Sequence, residues 1–167
     1  NFEQGADSYK ESEGGWSIDS SFWWFLDYPD DIVQQSYLPN NKCGQLISIN
    51  KLEMACVVIN LAAAIYACWY DKVDLSAYPV LLNWCDNRSA TCWTNTRCKS
   101  SMIGRALGRF LCGLLMGTNL CIQAEWLPSE LNKIADDISR VKLQGNGVYN
   151  CSQLCIDHPC LRTCRQF

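Results

Sequence analysis

The segment from Asn50 to Tyr70 constrains the fold more than any other part of the chain, because it has helical spacing and is apolar on nearly every face. Leu52 and Cys56 belong to a stripe that recurs every three or four residues. The other faces are also largely apolar, so this helix has to be covered on several sides. The run from Met54 to Tyr70 is marginal for a membrane span and is interrupted by Asn60. We therefore predict a buried central helix and no membrane contact.

Segments with strand character alternate with segments of helical character along the rest of the chain. Residues 16–28 are rich in aromatic side chains, which predicts one long strand or two paired strands. Residues 34–46 contain several turn-forming residues and are predicted to be a loop. Two further strands are expected at 80–85 and 120–127, and two further helices at 100–116 and 131–141. This order predicts a layered α/β domain with a mixed central β-sheet.

The bulk composition is that of a folded domain. The chain has 167 residues, of which 49% are hydrophobic and 19% are charged, so a disordered chain is excluded. The formal net charge is −3. Overall charge therefore provides no attraction toward nucleic acid, and any such attraction has to come from a local basic patch.

Cysteine usage bears on the cellular compartment. Twelve cysteines are compatible with a secreted, disulfide-bonded protein. However, Cys56 and Cys68 lie within the apolar helix, where a free thiol behaves as a small hydrophobic group. We favour reduced thiols and an intracellular location, in the cytoplasm or the nucleus.

The last part of the chain is rich in cysteine. Gly145-Asn146-Gly147 marks a break, which predicts a domain over residues 1–145 and a tail over residues 146–167. Five residues of the tail have metal-binding side chains: Cys151, Cys155, His158, Cys160 and Cys164. Zinc binding, disulfides and free thiols all remain open here, with free thiols favoured because CxxC pairs are missing.

Four acidic residues stand where a strand ends or a helix begins: Asp7, Glu53, Asp86 and Asp136. Each has an ordinary structural explanation, as a turn residue, a capping box, a helix cap or a solvated helix residue. In α/β sheets, however, sites form at the carboxyl ends of strands. Carboxylates that converge there repel one another and require a cation. Mg²⁺ prefers oxygen ligands of this kind.

Four segments carry a resemblance to a known family: GADSYKESEGGWSI, ISINKLEMACVVINL, VLLNWCDNRSATCW and EWLPSELNKIADDISR. The last is the most specific, with its key residues at Asn132, Ala135, Asp136, Ser139 and Arg140. Over about residues 5–142 the chain resembles the ribonuclease H domain of retrotransposon reverse transcriptases. The runs GGWSIDSSFWWFLDYP and SSMIGRALGRFL are most similar to the tyrosine-recombinase type.

The resemblance implies a ribonuclease H-like fold, with helices on both faces of the sheet, and a catalytic metal site. The ligands and catalytic residues it implies are Asp7, Glu53, Asp86 and Asp136, with Asp137 as the reserve for the last position. Two Mg²⁺ ions are implied as cofactors, with Mn²⁺ as a substitute. The implied activity is endonucleolytic hydrolysis of the RNA strand of an RNA–DNA hybrid, and the polymerase domain of a parent polyprotein is an expected partner.

Two departures from the family pattern keep an alternative open. The first strand, NFEQGA, lacks the usual apolar run, and no histidine stands beside Pro128 at the final turn. The alternative is a catalytically inactive module of the same fold that binds nucleic acid or another protein.

Residues 88–109 form a basic stretch without an acid, which is the predicted contact with the hybrid. Its cations are Arg88, Arg97, Lys99, Arg105 and Arg109. Asn87 and Asn95 are predicted to contact 2′-hydroxyl or phosphate groups. A solvated basic helix face is the alternative.

Overall fold

The computed structural model describes residues 2–38, 47–73, 80–96, 101–141 and 151–167. These residues form six strands: β1 (Phe2–Ser8), β2 (Ser12–Ser17), β3 (Phe22–Asp27), β4 (Val80–Cys85), β5 (Cys121–Trp126) and β6 (Arg165–Gln166). They also form six α-helices: α1 (Asp30–Tyr37), α2 (Ile49–Tyr70), α3 (Arg88–Thr96), α4 (Met102–Thr118), α5 (Lys133–Ser139) and α6 (Cys151–Asp157). A 3₁₀ helix at Pro159–Thr163 precedes β6.

The strands form one mixed sheet in the order β5-β4-β1-β2-β3-β6. β1, β2 and β3 are an antiparallel meander. β4 pairs in parallel with β1, β5 in parallel with β4, and β6 in parallel with β3. Because β1 and β4 are parallel neighbours, their carboxyl ends lie at the same edge of the sheet.

The helix α2 is the centre of the core. Leu52, Val57 and Leu61 are among its buried residues. Asn60, which interrupts the apolar run, accepts a hydrogen bond from Trp24 Nε1 at 2.8 Å and donates one to the Gly5 carbonyl at 3.1 Å. By length and composition α2 could cross a membrane, but 61% of its most apolar window is buried inside the protein. This burial is typical of a core helix, as the sequence predicts.

Gly14 and Gly15 allow helices to approach both faces of the sheet. A Cβ atom on Gly14 would overlap Ile138 of α5, whereas one on Gly15 would overlap Asn60 of α2. Consecutive strand residues point to opposite faces, so α2 and α5 cover opposite faces. The predicted mixed sheet with helices on both faces is confirmed.

Most of the predicted elements are present. The helices expected at 50–70, 100–116 and 131–141 are α2, α4 and α5, and the strands expected at 80–85 and 120–127 are β4 and β5. The aromatic run at 16–28 forms two paired strands, with a turn between β2 and β3.

Two short helices differ from the sequence prediction. The loop predicted at 34–46 is wrong for residues 34–37, which belong to α1; residues 39–46 lie outside the described part. Asp30 and Asp31 occupy the first turn of α1, where negative charge is favourable. Residues 88–96, for which no element is predicted, form α3, and Asn87 Oδ1 caps it by accepting a hydrogen bond from the Ala90 amide at 3.0 Å.

Polar residues of β1 are buried with partners, which explains why this strand forms without an apolar run. Gln4 is fully buried and donates from Nε2 to Asn83 Oδ1 on β4 at 2.8 Å. The two residues are aligned in the parallel register. A hydrogen-bonded pair of amides thus replaces two apolar side chains.

The C-terminal segment packs on the same sheet. β6 pairs with β3, and Leu154 and Leu161 are buried together with Trp23 and Ile138. The predicted boundary near residue 145 lies outside the described residues. The cysteines whose side chains are described form no disulfide.

Candidate active site

Four carboxyl groups from separate parts of the chain face one edge of the sheet, and we call them the acid cluster: Asp7, Glu53, Asp86 and Asp136. Asp7 is the penultimate residue of β1 and Asp86 directly follows β4, so the parallel pairing of these strands brings them together. Glu53 lies near the start of α2 and Asp136 lies in α5. Asp7 and Glu53 are buried, while Asp86 and Asp136 are partly exposed.

Glu53 and Asp86 form the tightest part of the acid cluster. Their carboxylate oxygens and the Cys85 sulfur all lie within 4.8 Å of one another. Among the described residues, no other group of three or more such ligand atoms is this close. Cys85 Sγ donates to Glu53 Oε2 at 3.8 Å. Burial, with the charge of Glu53 nearby, raises the pKa of the Cys85 thiol, so the sulfur remains protonated and the carboxylates are the expected ligands.

Electrostatic interactions connect all four acids. Burial raises the pKa of Asp7 to about 7, and the charges of Asp86 and Asp136 add to this effect. Burial also raises the pKa of Glu53 well above its usual value, reinforced by Asp7 and Asp86. The pKa of Asp136 is raised as well, mainly by burial, with smaller contributions from other acids that include Asp86. Such mutual repulsion is relieved when a cation binds.

Two side chains from the end of α5 hold members of the acid cluster. Ser139 Oγ donates to Asp7 Oδ2 at 2.7 Å. Arg140 forms an ion pair with Asp136 at 2.5 Å. Each contact partly offsets the rise in the pKa of the acid that it binds, although burial keeps both pKa values above their ordinary range. Ser139 lies three residues after Asp136, so both occupy one side of the helix, and this spacing is visible in the sequence.

Asp137, the reserve candidate, has other partners. Its carboxylate binds Lys133 Nζ at 2.9 Å and His158 Nε2 at 2.7 Å. Burial opposes its ionisation, but these two hydrogen bonds outweigh burial and lower its pKa. Asp136, in contrast, interacts electrostatically with Asp7 and Asp86. Of these two neighbouring acids, Asp136 is therefore the one that interacts with the rest of the acid cluster.

Cys85 and His158 make contacts next to the acid cluster that the sequence does not predict. Cys85 appears in the sequence as an ordinary apolar strand residue, and only the fold places its sulfur between Glu53 and Asp86. His158 is separated from Asp137 by 21 residues and carries no local signal. Among the described side chains of the tail, no three metal-binding atoms lie within 4.8 Å of one another, and His158 binds Asp137.

The predicted nucleic-acid contacts lie in several environments. Arg88 is exposed and stacks over the Trp126 ring at 4.3 Å, and Trp126 Nε1 donates to the Asp86 carbonyl at 2.9 Å. Arg105 and Arg109 are exposed on α4. Arg88 is therefore connected to the Asp86 backbone indirectly, through the Trp126 side chain.

Two other predicted contacts, Asn87 and Asn95, already bind other parts of the protein, and a further two lie outside the described residues. Asn87 caps α3 and donates to Asn50 Oδ1 at 3.0 Å. Asn95 uses both polar atoms of its amide on the backbone of Ala124 in β5, so its amide is occupied in this structure. Arg97 and Lys99 lie outside the described residues.

Comparisons with known proteins agree with this architecture. No protein-family model and no curated protein sequence matches the chain. The structure is similar to that of RNase H1 from the halophilic archaeon Halobacterium salinarum, with a TM-score of 0.56 and 11% identity over 87% of this chain and 98% of that one. It is also similar to the N-terminal RNase H domain of a Mycobacterium tuberculosis protein, solved as a fusion with maltose-binding protein. There the TM-score is 0.51 and the identity 14%, over 83% of this chain and 94% of that one. At these identities the likeness shows the fold, and the chain therefore has a ribonuclease H-like fold.

Proposed function

We propose that this protein is a metal-dependent endonuclease that hydrolyses the RNA strand of RNA–DNA hybrids. The observation that carries the proposal is the acid cluster in a ribonuclease H-like fold. Four carboxyl groups from β1, α2, the end of β4 and α5 interact at one edge of the sheet. Two are buried with raised pKa values, an arrangement that a bound divalent cation would stabilise.

The donor set suits hard divalent cations. Asp7, Glu53, Asp86 and Asp136 would hold two Mg²⁺ ions, with Mn²⁺ as a substitute. Bound there, the ions would supply an activated water and charge neutralisation at the leaving 3′ oxygen. Ser139 fixes the orientation of Asp7, and Arg140 restrains Asp136. Because Asp7 and Glu53 must lose protons to act as ligands, metal affinity should fall as the pH drops below about 7.

Substrate binding is assigned to the basic stretch. Arg88 lies beside the acid cluster on the Trp126 ring, where a guanidinium can pair with a phosphate of a bound strand. Arg105 and Arg109 extend the basic surface along α4. Arg97 and Lys99 belong to the same stretch. Asn87 Nδ2 donates one hydrogen to Asn50 Oδ1, and its second hydrogen is assigned a contact to a 2′-hydroxyl group.

The origin and setting of the domain are part of the proposal. The sequence resemblance supports descent from a retroelement polyprotein, with a polymerase domain as the partner. The intracellular location expected from the sequence belongs to the same proposal.

Cleavage of a labelled RNA–DNA hybrid tests this function. The wild-type protein is expected to cut the RNA strand with Mg²⁺, leaving 5′-phosphate and 3′-hydroxyl ends, and to stop when EDTA is added. Asp86→Asn should abolish cleavage because it removes a proposed ligand. Asp30→Asn, an exposed acid of α1, is the matched control and should cleave like wild type.

A different outcome would favour the inactive module. If the folded wild-type protein binds hybrid with salt-sensitive affinity but leaves the RNA intact with both Mg²⁺ and Mn²⁺, the nuclease proposal is wrong. Equal cleavage by Asp86→Asn and wild type, in preparations free of contaminating nuclease, would show that Asp86 is not a required ligand.

A further inference from the structure

The C-terminal segment, residues 151–167, is anchored to both the sheet and α5. The Arg165 amide donates to the Ser21 carbonyl at 2.7 Å, and the Phe167 amide donates to the Trp23 carbonyl at 3.0 Å. Leu154 and Leu161 are almost completely buried against Trp23 and Ile138. Ile138 belongs to α5, so the segment contacts the helix that carries Asp136.

His158 makes the polar contact in this packing. Its Nε2 atom lies 2.7 Å from Asp137 Oδ2, and both residues are buried, at 9% and 8% exposure. The Asp137 carboxylate also binds Lys133. Lys133, however, belongs to the same helix, four residues earlier, and its side chain is 68% exposed. The Lys133 pair therefore cannot fix α5 relative to the rest of the protein, whereas the His158 contact can.

The helix α5 depends on such external contacts. It has only seven residues, which is too short to be stable by itself in water. On the sheet side, Asn132 Nδ2 donates to the Ala6 carbonyl at 3.2 Å, and Ser12 Oγ donates to the Ser139 carbonyl. Ile138 packs against Gly14 on the same side. The C-terminal segment adds the contact of His158 and the apolar packing of Leu154 and Leu161 against Ile138.

We propose that His158 is a positioning residue for the acid cluster, which acts by binding Asp137 and so holds α5 where Asp136 and Ser139 meet the metal site. The inference rests on the proposed function, because it assumes that the acid cluster binds metal. Asp136 precedes Asp137 directly, and Ser139 binds Asp7. A shift of α5 would therefore displace one carboxylate and release another.

Mn²⁺ binding measured by calorimetry tests this role without relying on catalysis. His158→Ala is expected to bind Mn²⁺ on the order of 10-fold more weakly than wild type, as is usual when a residue that orients a ligand is lost. His158→Gln, whose amide nitrogen can take the place of Nε2, should bind close to wild-type affinity. Gln153→Ala is the control within the same segment, since its bond to Asp157 is exposed, and it should behave as wild type.

Hydrogen exchange and cleavage complete the experiment. Amides of α5 should exchange faster in His158→Ala than in wild type, while those of α2 stay protected. In the cleavage assay, the Mg²⁺ concentration for half-maximal activity should rise, with little change in KM for the hybrid. If His158→Ala does not fold, His158→Phe, which fills a similar space without the hydrogen bond, replaces it with the same expectations. Unchanged Mn²⁺ affinity, even with a lower melting temperature, would overturn the positioning role.

The two proposals fail in different ways. A wild-type protein that binds Mn²⁺ but never cleaves hybrid contradicts the nuclease function, and the Mn²⁺ affinities of the variants still decide the role of His158. A wild-type protein that binds no Mn²⁺ overturns both.

Discussion

At the scale of single residues, burial affects the acids of this protein in different ways. Asp137 is buried but paired with Lys133 and His158, so its pKa is lowered. Glu13 is buried with Tyr28 as its hydrogen-bond donor at 2.6 Å, and burial raises its pKa to about 7. Burial is also the main cause of the raised pKa of Asp7, but there the charges of other carboxylates add to it. The pKa of Glu13 is therefore raised without repulsion from other acids, whereas repulsion contributes in the acid cluster.

Replacement of Glu13 by Gln should stabilise the protein in a pH-dependent manner. The folded pKa of about 7 lies above the ordinary value of 4.5, so the unfolded chain releases this proton first as the pH rises. Wild type should therefore lose up to roughly 3 kcal/mol between about pH 4.5 and pH 7 because of Glu13. Urea unfolding across this range should show that Glu13→Gln gains stability over wild type as the pH increases. Glu3→Gln, at an exposed position, is the control and should follow wild type. If the unfolding free energies of Glu13→Gln and wild type depend on pH in the same way, the raised pKa of Glu13 is contradicted.

Replacement of Asp86 by Asn should stabilise the metal-free protein. The charge of Asp86 raises the pKa of both Asp7 and Glu53, so its removal relieves repulsion worth about 1 kcal/mol. Thermal unfolding in EDTA should show a higher midpoint for Asp86→Asn than for wild type. Added Mn²⁺ should raise the midpoint of wild type only. A variant that responds to Mn²⁺ as wild type does would show that Asp86 is not a ligand.

At the scale of elements, close approach between α5 and the sheet determines the site. Gly14 on β2 leaves room for Ile138, and Ser139 of the same helix reaches Asp7 on β1. The acid cluster is therefore sensitive to the distance between a seven-residue helix and the face of the sheet. The spacing of Asp136 and Ser139 is visible in the sequence, but that distance depends on packing with residues far away in the chain.

Gly14→Ala should push α5 away from the sheet. The added methyl group overlaps Ile138, and overpacking of this kind costs about 1–3 kcal/mol. Chemical denaturation should show this loss, together with weaker Mn²⁺ binding. Gly113→Ala in α4 is the matched control, because nothing lies within 4 Å of its new Cβ atom; it should keep or slightly increase stability. Wild-type stability for Gly14→Ala would contradict the tight approach.

At the scale of the whole molecule, the net charge does not explain substrate binding, and the sequence pattern does not identify every helix and strand. The net charge of −3 provides no general attraction to nucleic acid, so binding has to depend on a local surface around Arg88 and α4. The helices α2 and α4 are predictable because they are long and their apolar residues recur with helical spacing. The strands β4 and β5 are predictable because each begins with apolar residues after a turn or loop segment. The helices α1 and α3 are short and polar, and β1 is stabilised by the Gln4–Asn83 pair, so local pattern does not identify them.

The residues of the site also differ in whether local sequence pattern identifies them. The four acids of the acid cluster are proposed from the sequence because they stand in recognisable motifs, whatever the length of the element that carries them. His158 and Cys85 are not, because their roles arise from contacts that only the folded chain makes.

Removal of the Arg88 charge should weaken binding to RNA–DNA hybrids equally, whatever their base sequence. Arg88→Ala is expected to lower affinity in EDTA and to reduce the slope of log affinity against log salt by about one, as for the loss of one phosphate contact. Fluorescence anisotropy at several salt concentrations measures both effects. Arg162→Ala, in the C-terminal segment, is the control and should keep the wild-type slope. An unchanged slope for Arg88→Ala would remove this residue from the interface.

The most direct test of the account is to locate Mn²⁺ in crystals of the protein by anomalous scattering. The account predicts anomalous peaks between Asp7, Glu53, Asp86 and Asp136, at metal–oxygen distances of roughly 2.0–2.4 Å. Well-ordered carboxylates at this edge of the sheet with no peak between them at high Mn²⁺ concentration would contradict it.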